Sequence, residues 1–297
     1  MLKNNSSKKK KIKYKQTIKK ITNDSICAPG KGNNTTCFDR KSLIKIASAW
    51  NKQSEQKINL SENSNNLWKQ IHNKNSDKCS SELCWLKQGF ASPFHNDFKH
   101  LFKPKIPSSW KTENKTWLST TDIEKVLFQY QDAIKDFRFL GVVPIDFDFE
   151  FSAGRCVVDE LCKININKLK KQKKINKIGI IFNLDAHDEP GSHWVALYSD
   201  FNKGEVYYYD SYGIFPPEEI KILMEKLSIQ GIKIKGKPFQ LYYNDIRHQY
   251  KNSECGVYSM HFITEFLNGK NFKDIIHNKI TDDNMNKKRF TTFYNSL

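Results

Sequence analysis

The sequence lacks an apolar run long enough to cross a membrane as a helix, for which about 20 residues are needed. Its longest apolar stretch, IGIIF at 178–182, has the length of a buried strand. Residues 1–20 contain no acidic residue, no long apolar run and no small-residue cleavage site, so they do not read as a secretory signal. These absences predict a chain that is neither secreted nor inserted in a membrane.

The first twenty residues instead contain nine lysines, which account for more than half of the net charge of +17. A segment so rich in one charge is typical of a solvated, disordered arm. Such an arm can also bind polyanions by releasing their counterions. We therefore predict that residues 1–25 form a basic disordered arm that can contact nucleic acid or an acidic core protein.

Residues 26–105 alternate short helical patterns with Asn- and Ser-rich gaps. In SLIKIASAWN (42–51) apolar residues recur at helical spacing, with Ser42 as the predicted N-cap, and NNLWKQIHN (65–73) repeats the pattern. Residues 26–105 are therefore predicted to form a small helical N-terminal domain that ends near Pro104 and Pro107.

The pattern from residue 106 to residue 297 is that of a packed α/β domain. WLSTTDIEKVL (117–127) predicts a helix capped by Thr120 or Thr121. Three strand patterns follow closely, at 178–184, 193–200 and 205–210, and a strong helical pattern covers 255–269.

The chain has seven cysteines, an odd number at irregular spacing, and no export signal. This combination predicts mostly free thiols. A zinc site at Cys27, Cys37, Cys79 and Cys84 is an alternative, although neither pair has the spacing of a short zinc knuckle.

Cys255 stands at the first turn of the helix predicted over 255–269. Burial as a small core residue is the simpler interpretation of a single cysteine. A helix N-terminus, however, has unpaired N–H groups and a dipole that stabilise a thiolate. Gln249, six residues upstream in a polar loop, and the backbone N–H of Cys255 could supply two donors to an oxyanion.

His193 and Asp210 belong to two strands joined by FNKG (201–204), a hairpin signal. If the loop has an even number of residues, both side chains project from one face as diagonal neighbours. A carboxylate can then orient an imidazole that acts as a base. The acidic loop LDAHDEPGSHW (184–194) leaves metal binding as an alternative, but its spacing matches no standard site, so we predict no metal and no cofactor.

The segments HWVALYSD, VYYYDSYG and QYKNSECGVY, in this order along the chain, resemble the SUMO (ubiquitin-like protein) proteases and the adenovirus protease. The resemblance covers about residues 110–270, and WLSTTDIEKVL looks like the helix that opens that domain. Within the family, the basic helical N-terminal region and FLGVVPIDFDF (139–149) are similar to polyprotein-processing proteases of large cytoplasmic DNA viruses, such as that of African swine fever virus.

This resemblance implies an α+β fold, a papain-like cysteine protease core whose central mixed sheet is flanked by helices, behind a small helical N-terminal domain. It implies cleavage after Gly-Gly, with Trp194 lining a narrow glycine channel. One departure is Glu254, where the SUMO proteases usually have aspartate. The roles implied for the other site residues are base for His193, orienting carboxylate for Asp210, nucleophile for Cys255 and oxyanion donor for Gln249.

The function predicted from these residues and this resemblance is that of a thiol protease, a hydrolase that matures viral structural polyproteins in the virion and the host cytoplasm. Its partners would be Gly-Gly-containing core or capsid precursors. Three alternatives stay open: removal of ubiquitin or SUMO from host conjugates, acyl transfer on the same fold, and a nucleic-acid or scaffold-binding role for the basic arm.

Overall fold

The structure, a computed structural model, describes residues 26–294 apart from 33–35, 80, 112, 114 and 152–153. The predicted basic arm at 1–25 lies outside the described residues. The elements in chain order are α1 (Arg40–Gln53), α2 (Ser64–Asn75), α3 (Glu82–Trp85), α4 (His95–Phe98), α5 (Thr120–Ala133), β1 (Phe137–Pro144), β2 (Glu150–Phe151), β3 (Arg155–Cys156), α6 (Asp159–Cys162), α7 (Ile166–Lys173), β4 (Lys177–Asn183), β5 (Trp194–Asp200), β6 (Glu205–Tyr209), α8 (Glu218–Gln230), α9 (Ile232–Lys235), β7 (Gln240–Tyr243), α10 (Cys255–Leu267), α11 (Phe272–His277) and α12 (Asp282–Thr292).

A five-stranded sheet in the order β1-β4-β5-β6-β7 forms the centre of the molecule. The inner pairs β4–β5 and β5–β6 are antiparallel, whereas the outer pairs β1–β4 and β6–β7 are parallel. Helices pack on both faces of this sheet. The predicted fold class, α+β with a central mixed sheet flanked by helices, is confirmed.

Strand β5 shows why the sheet is buried on both faces. Ala196 and Tyr198 point into one cluster, which α5, α10, α11 and α12 complete. Val195 and Leu197 point into the other cluster, which α7 and α8 cover. Because successive side chains alternate between faces, a strand covered on both sides reads as a continuous apolar run.

Helix α5 begins one or two residues earlier than predicted. Its N-cap is Ser119, whose hydroxyl accepts the N–H of Asp122, and the Asp122 carboxylate accepts the N–H of Ser119 in return. This reciprocal capping box satisfies two N–H groups that the helix leaves unpaired. The assignment of the cap to Thr120 or Thr121 is therefore wrong.

The N-terminal helices enclose their own hydrophobic cluster, which is drawn from residues 26–102. Helix α1 covers the predicted 42–51 and buries Leu43, Ile46 and Ala47, but its cap is Asp39, whose carboxylate accepts the N–H of Ser42 at 2.7 Å. Ser42 therefore lies within the first turn, and its assignment as the cap is wrong.

Six of the seven cysteines pair as disulfides, and the buried Cys255 is the free one. The prediction of mostly free thiols is wrong, because turns of the chain bring the partners' Cα atoms to 5.2, 5.4 and 6.3 Å, within the range that a disulfide spans. The sulfurs considered for zinc are thus already bonded. The pairs are Cys27–Cys37, Cys79–Cys84 and Cys156–Cys162.

The end of the described chain pairs with the segment that leads from the N-terminal helices to α5. The N–H of Ile106 donates to the carbonyl of Tyr294 at 3.0 Å, and the N–H of Tyr294 donates to the carbonyl of Pro104 at 2.9 Å. Gln129 on α5 adds a hydrogen bond to the Phe102 carbonyl. These contacts join the N-terminal helices to the sheet domain. Among the described residues, no helix is both long and apolar enough to cross a membrane.

Candidate active site

The β5–β6 hairpin places His193 beside Asp210. Its loop has four residues, the even length on which the prediction depended, with Asp200 opposite Glu205 in the register. The Asp200 carboxylate accepts two loop N–H groups, and Gly204 takes a φ of +76° that favours glycine. Just beyond the paired strands, His193 Nε2 lies 2.7 Å from Asp210 Oδ1.

Asp210 is buried and firmly held. Besides His193, its Oδ1 accepts the N–H of Tyr212 at 2.8 Å. The side chain of Asn244, just after β7, accepts the N–H of Asp210 and donates to its carbonyl, at 2.9 and 2.8 Å. Sequence analysis missed Asn244, because an Asn after a strand usually signals only a turn.

The imidazole of His193 lies between several partners. The Tyr212 ring stacks on it with 4.6 Å between ring centroids. Burial disfavours the charged form, but hydrogen bonds to the Asp210 carboxylate and with the Cys255 thiol outweigh it and raise the pKa of His193 to about 9. Since Nε2 faces Asp210, Nδ1 is the ring nitrogen available to the thiol. The imidazole can therefore accept the thiol proton and remain charged at neutral pH.

Cys255 is the first residue of α10, so its backbone lies among the unpaired N–H groups of a 13-residue helix. A Cβ on the next residue, Gly256, would lie 3.1 Å from Trp194 Cδ1 and 3.2 Å from Leu118 Cβ. Glycine thus allows the start of the helix to pack closely against β5. Ser259, one turn along, donates its hydroxyl to the Trp194 carbonyl at 3.0 Å.

Gln249 is fully buried in the loop before α10. Its Oε1 accepts the Ser211 hydroxyl, and its Nε2 donates to the Lys251 carbonyl, each at 2.6 Å. A carbonyl can only accept, so this second contact fixes which end of the amide is nitrogen. One N–H is thereby used, and the amide has a second N–H to offer an oxyanion.

A buried ion pair, Glu254–Arg289, lies beside Cys255. Glu254 Oε2 accepts from Arg289 Nε at 2.7 Å, and the guanidinium also donates to the carbonyls of Ser253 and Thr116, each at 2.6 Å. Arg289 also lies over the Trp110 ring. It therefore joins α12, the residue before Cys255 and the segment before α5.

A cleft of about 560 Å³ adjoins His193 and Trp194. Trp194 is mostly buried and donates its indole N–H to the Leu118 carbonyl at 3.0 Å. The half-exposed Trp117 lies on the same cleft. The other walls come from the end of β1, residues 157–158 and the loop 186–192. This cleft is large enough for an extended peptide segment next to the imidazole.

The acidic loop borders this cleft, and several of its side chains have partners within the protein. His187 Nδ1 lies 2.6 Å from Asp146 Oδ2, which raises the pKa of that imidazole, and Glu189 accepts the N–H of Ala186. Within the described ranges, the one group of possible metal ligands is that of Glu150, Cys156 and Cys162, where the two sulfurs are bonded to each other.

Comparison with known proteins agrees with this geometry. Residues 134–295 match the Ulp1 protease family, C-terminal catalytic domain. A proposed thiol protease of Acanthamoeba polyphaga mimivirus is 33% identical over 91% of this chain and 94% of its own length. A cysteine protease of African swine fever virus is 27% identical over 72% of this chain and 83% of its own length.

The fold is also that of a solved structure. The crystal structure of the African swine fever virus protease superposes with a TM-score of 0.69 at 21% identity, covering 93% of this chain and 97% of that one. The family match covers more than half of the chain, and the mimivirus relative spans nearly all of it. The chain therefore belongs to the Ulp1 protease family and is a cysteine peptidase.

Proposed function

We propose that the protein is an endopeptidase that cleaves viral structural polyproteins after Gly-Gly during virion maturation. The observation that carries the proposal is the imidazole of His193, whose Nε2 lies 2.7 Å from the Asp210 carboxylate and whose pKa the Cys255 thiol also helps to raise. Viral relatives named as thiol and cysteine proteases, from mimivirus and African swine fever virus, support the choice of substrate class.

In the proposed reaction, the Cys255 proton passes to His193 and the thiolate attacks the scissile carbonyl carbon. The backbone N–H of Cys255 and the second amide N–H of Gln249 stabilise the oxyanion. The imidazolium then protonates the leaving amine, and a thioester remains on the sulfur. Water, deprotonated by His193, attacks the thioester, releases the acid and restores the thiol. Asp210 keeps the ring oriented through both steps.

Preference for glycine is supported by the crowding around the nucleophile. Trp194 is fixed by its bond to Leu118 and packs against Gly256, next to the sulfur-bearing residue. A substrate backbone that passes this indole has little space for side chains, because the indole is held in place. Glycine residues fit such a narrow channel, as the family resemblance implies.

A peptide with Gly-Gly before the scissile bond is expected to be cleaved, and replacing the second glycine by alanine is expected to lower kcat/KM by roughly 10- to 200-fold, the usual effect of one methyl group in a tight site. Fluorogenic Gly-Gly-Ala and Gly-Ala-Ala peptides derived from a capsid precursor provide the measurement. Equal rates for the two peptides would contradict the proposed specificity.

The same assay separates the alternatives. Faster turnover of SUMO or ubiquitin C-terminal amides than of the capsid peptide would favour removal of modifiers from host proteins; some African swine fever virus relatives carry the name SUMO-1 cysteine protease. Consumption of acetyl-CoA without peptide cleavage would favour acyl transfer. Polyprotein maturation would place the enzyme in the virion and the viral factory. A role for residues 1–25 in holding it on nucleic acid or an acidic core protein stays a prediction.

Activity is expected to fall as the pH rises through about 9, where the His193 imidazolium loses the proton that the leaving amine needs. Asp210→Asn removes a carboxylate that raises the pKa of His193. In this variant the fall in activity at high pH, the alkaline limb of the pH–rate profile, should therefore begin at lower pH. The raised pKa of His193 also stabilises the folded state. This contribution is fully present below about pH 6.5, the pKa of the residue in the unfolded chain, and it is lost as the pH rises through about 9.

The measurement is kcat/KM against pH for the wild type and Asp210→Asn. Asp283→Asn, which removes an exposed carboxylate paired with Lys251, is the matched control and should leave the limb in place. If the alkaline limb of Asp210→Asn lay at the same pH as that of the wild type, this carboxylate would not be what raises the pKa of the His193 imidazole.

A further inference from the structure

A second cleft, of about 650 Å³, runs along the helix that carries the nucleophile. One face of α10, from Val257 to Asn268, forms its floor. Helix α5 and helix α12 form its walls, and Pro29 and Lys103 from the N-terminal region close one end. Its volume is within the range of small-molecule sites. The catalytic cleft beside His193 and Trp194 has no lining residue in common with it.

The lining of this α10 cleft is strongly basic. It contains four lysines and one carboxylate, Glu265, which pairs with Lys270. Lys287 and Lys288, adjacent on α12, have no carboxylate within ion-pair distance in the described part of the chain. The cleft therefore offers a positive field to a ligand of opposite charge.

His261 lies at the floor of the α10 cleft without a hydrogen-bond partner among the described residues. Its side chain is only 15% exposed, and its nearest ionic neighbour, Glu265 Oε1, is 3.9 Å from Nδ1, too far for a hydrogen bond. Burial, together with Lys288, lowers the pKa of His261 to about 3, so the ring is neutral. The side-chain oxygen of Asn268, on the same face, is also buried without a partner. Buried polar atoms nearly always have partners, so the Asn268 oxygen, with the His261 ring beside it on α10, indicates a ligand with hydrogen-bonding groups.

The α10 cleft also has an apolar side. Val126 and Tyr130 from α5 and Val257 and Met260 from α10 contribute to its lining. An inorganic anion would use the lysines and leave this surface without a contact. A basic peptide, including the nine-lysine segment at 1–20, would be repelled by the lysines. The lining fits a molecule that is anionic at one end and flat and hydrogen-bonding at the other.

We propose that the α10 cleft binds a nucleoside polyphosphate. The phosphates would lie against Lys287 and Lys288, since lysine ammonium groups bind phosphate as point charges. The base would lie between α5 and α10, within reach of the unpaired His261. Because such a ligand contacts the N-terminal region, α5, α10 and α12 together, it would stabilise the nucleophile's helix in place.

Isothermal titration of the full chain with ATP, tripolyphosphate and adenosine tests this. ATP is expected to bind with one site per chain and at least roughly tenfold more tightly than either fragment, because only ATP uses both ends of the cleft. Lys288→Glu should weaken ATP binding by roughly tenfold or more. Lys171→Glu, the same charge change on α7 at the other face of the sheet, should leave it unchanged. Binding is measured without a peptide substrate, so the result is independent of the proposed peptidase specificity.

Failure to bind ATP, tripolyphosphate binding as tightly as ATP, or equal losses in the two variants would each overturn the proposal. Photolysis with 8-azido-ATP followed by peptide mapping gives a measurement that requires no variant. Labelled peptides are expected from α5, α10 or α12. Labelling confined to residues 1–25 would indicate nonspecific attraction to the arm and would likewise overturn it.

Discussion

Cys255→Ala is expected to abolish peptide hydrolysis, with kcat lowered by roughly 10⁴- to 10⁶-fold, as in other enzymes that lose a covalent nucleophile. The thiol is the free cysteine beside the His193 imidazole, so no second sulfur can replace it. Removing the base should cost about as much, because neither group acts without the other. The double variant Cys255→Ala/His193→Ala should therefore be no slower than either single variant.

The measurement is single-turnover cleavage of the Gly-Gly-Ala peptide, with near-ultraviolet circular dichroism to check that each variant folds. His277→Ala is the matched control for the loss of an imidazole. His277 is exposed on α11, and the partner of its ring among the described residues is the Lys273 carbonyl, so this variant should retain the wild-type rate. Wild-type cleavage by Cys255→Ala would refute the mechanism.

Arg289→Met is expected to lower the free energy of unfolding by about 3–5 kcal/mol, because it leaves the buried carboxylate of Glu254 without its cation. The two side chains are 0% and 2% exposed, so water cannot replace the lost partner. The two carbonyls that the guanidinium also satisfies would be left unpaired as well. Activity should fall with stability, since Glu254 is the N-cap of the helix that begins at Cys255.

Chemical denaturation of Arg289→Met, Glu254→Gln and the double variant measures this coupling. The loss of unfolding free energy in the double variant should be smaller than the sum of the losses in the two single variants, because the double variant leaves neither charge without its partner. Asp283→Ala on the same helix breaks an exposed ion pair and should leave the unfolding midpoint unchanged. If Arg289→Met were as stable as the wild type, the pair would have no role in fixing the start of α10.

The parts of the site set by local pairing could be predicted from sequence. The relation of His193 to Asp210 follows from strand alternation and an even hairpin loop, both of which can be counted along the chain. The position of Cys255 follows from the apolar pattern of α10. Cap positions were harder to predict. Adjacent residues with hydroxyl side chains, such as Ser119 and Thr120, can each cap a helix, and the sequence does not show at which of them the helix begins.

The parts set by distant contacts could not be predicted. Arg289 lies in a basic stretch of α12 that reads as a solvated surface, yet it is fully buried against Glu254 and Thr116. Asn244 acts on Asp210 only because β7 pairs with β6 in parallel. The disulfides were missed for the same reason, since irregular cysteine spacing does not indicate which turns of the chain come together.

The dependence of Glu254 on Arg289 has a consequence for the order of events during translation. Cys255 leaves the ribosome before α12 does, so a nascent chain with its nucleophile already exposed still lacks the cation that holds the preceding residue. We expect such a chain to be latent. Synthesis of α12 would then act as the release step, which would keep a new protease molecule from attacking neighbouring proteins before Arg289 has reached Glu254.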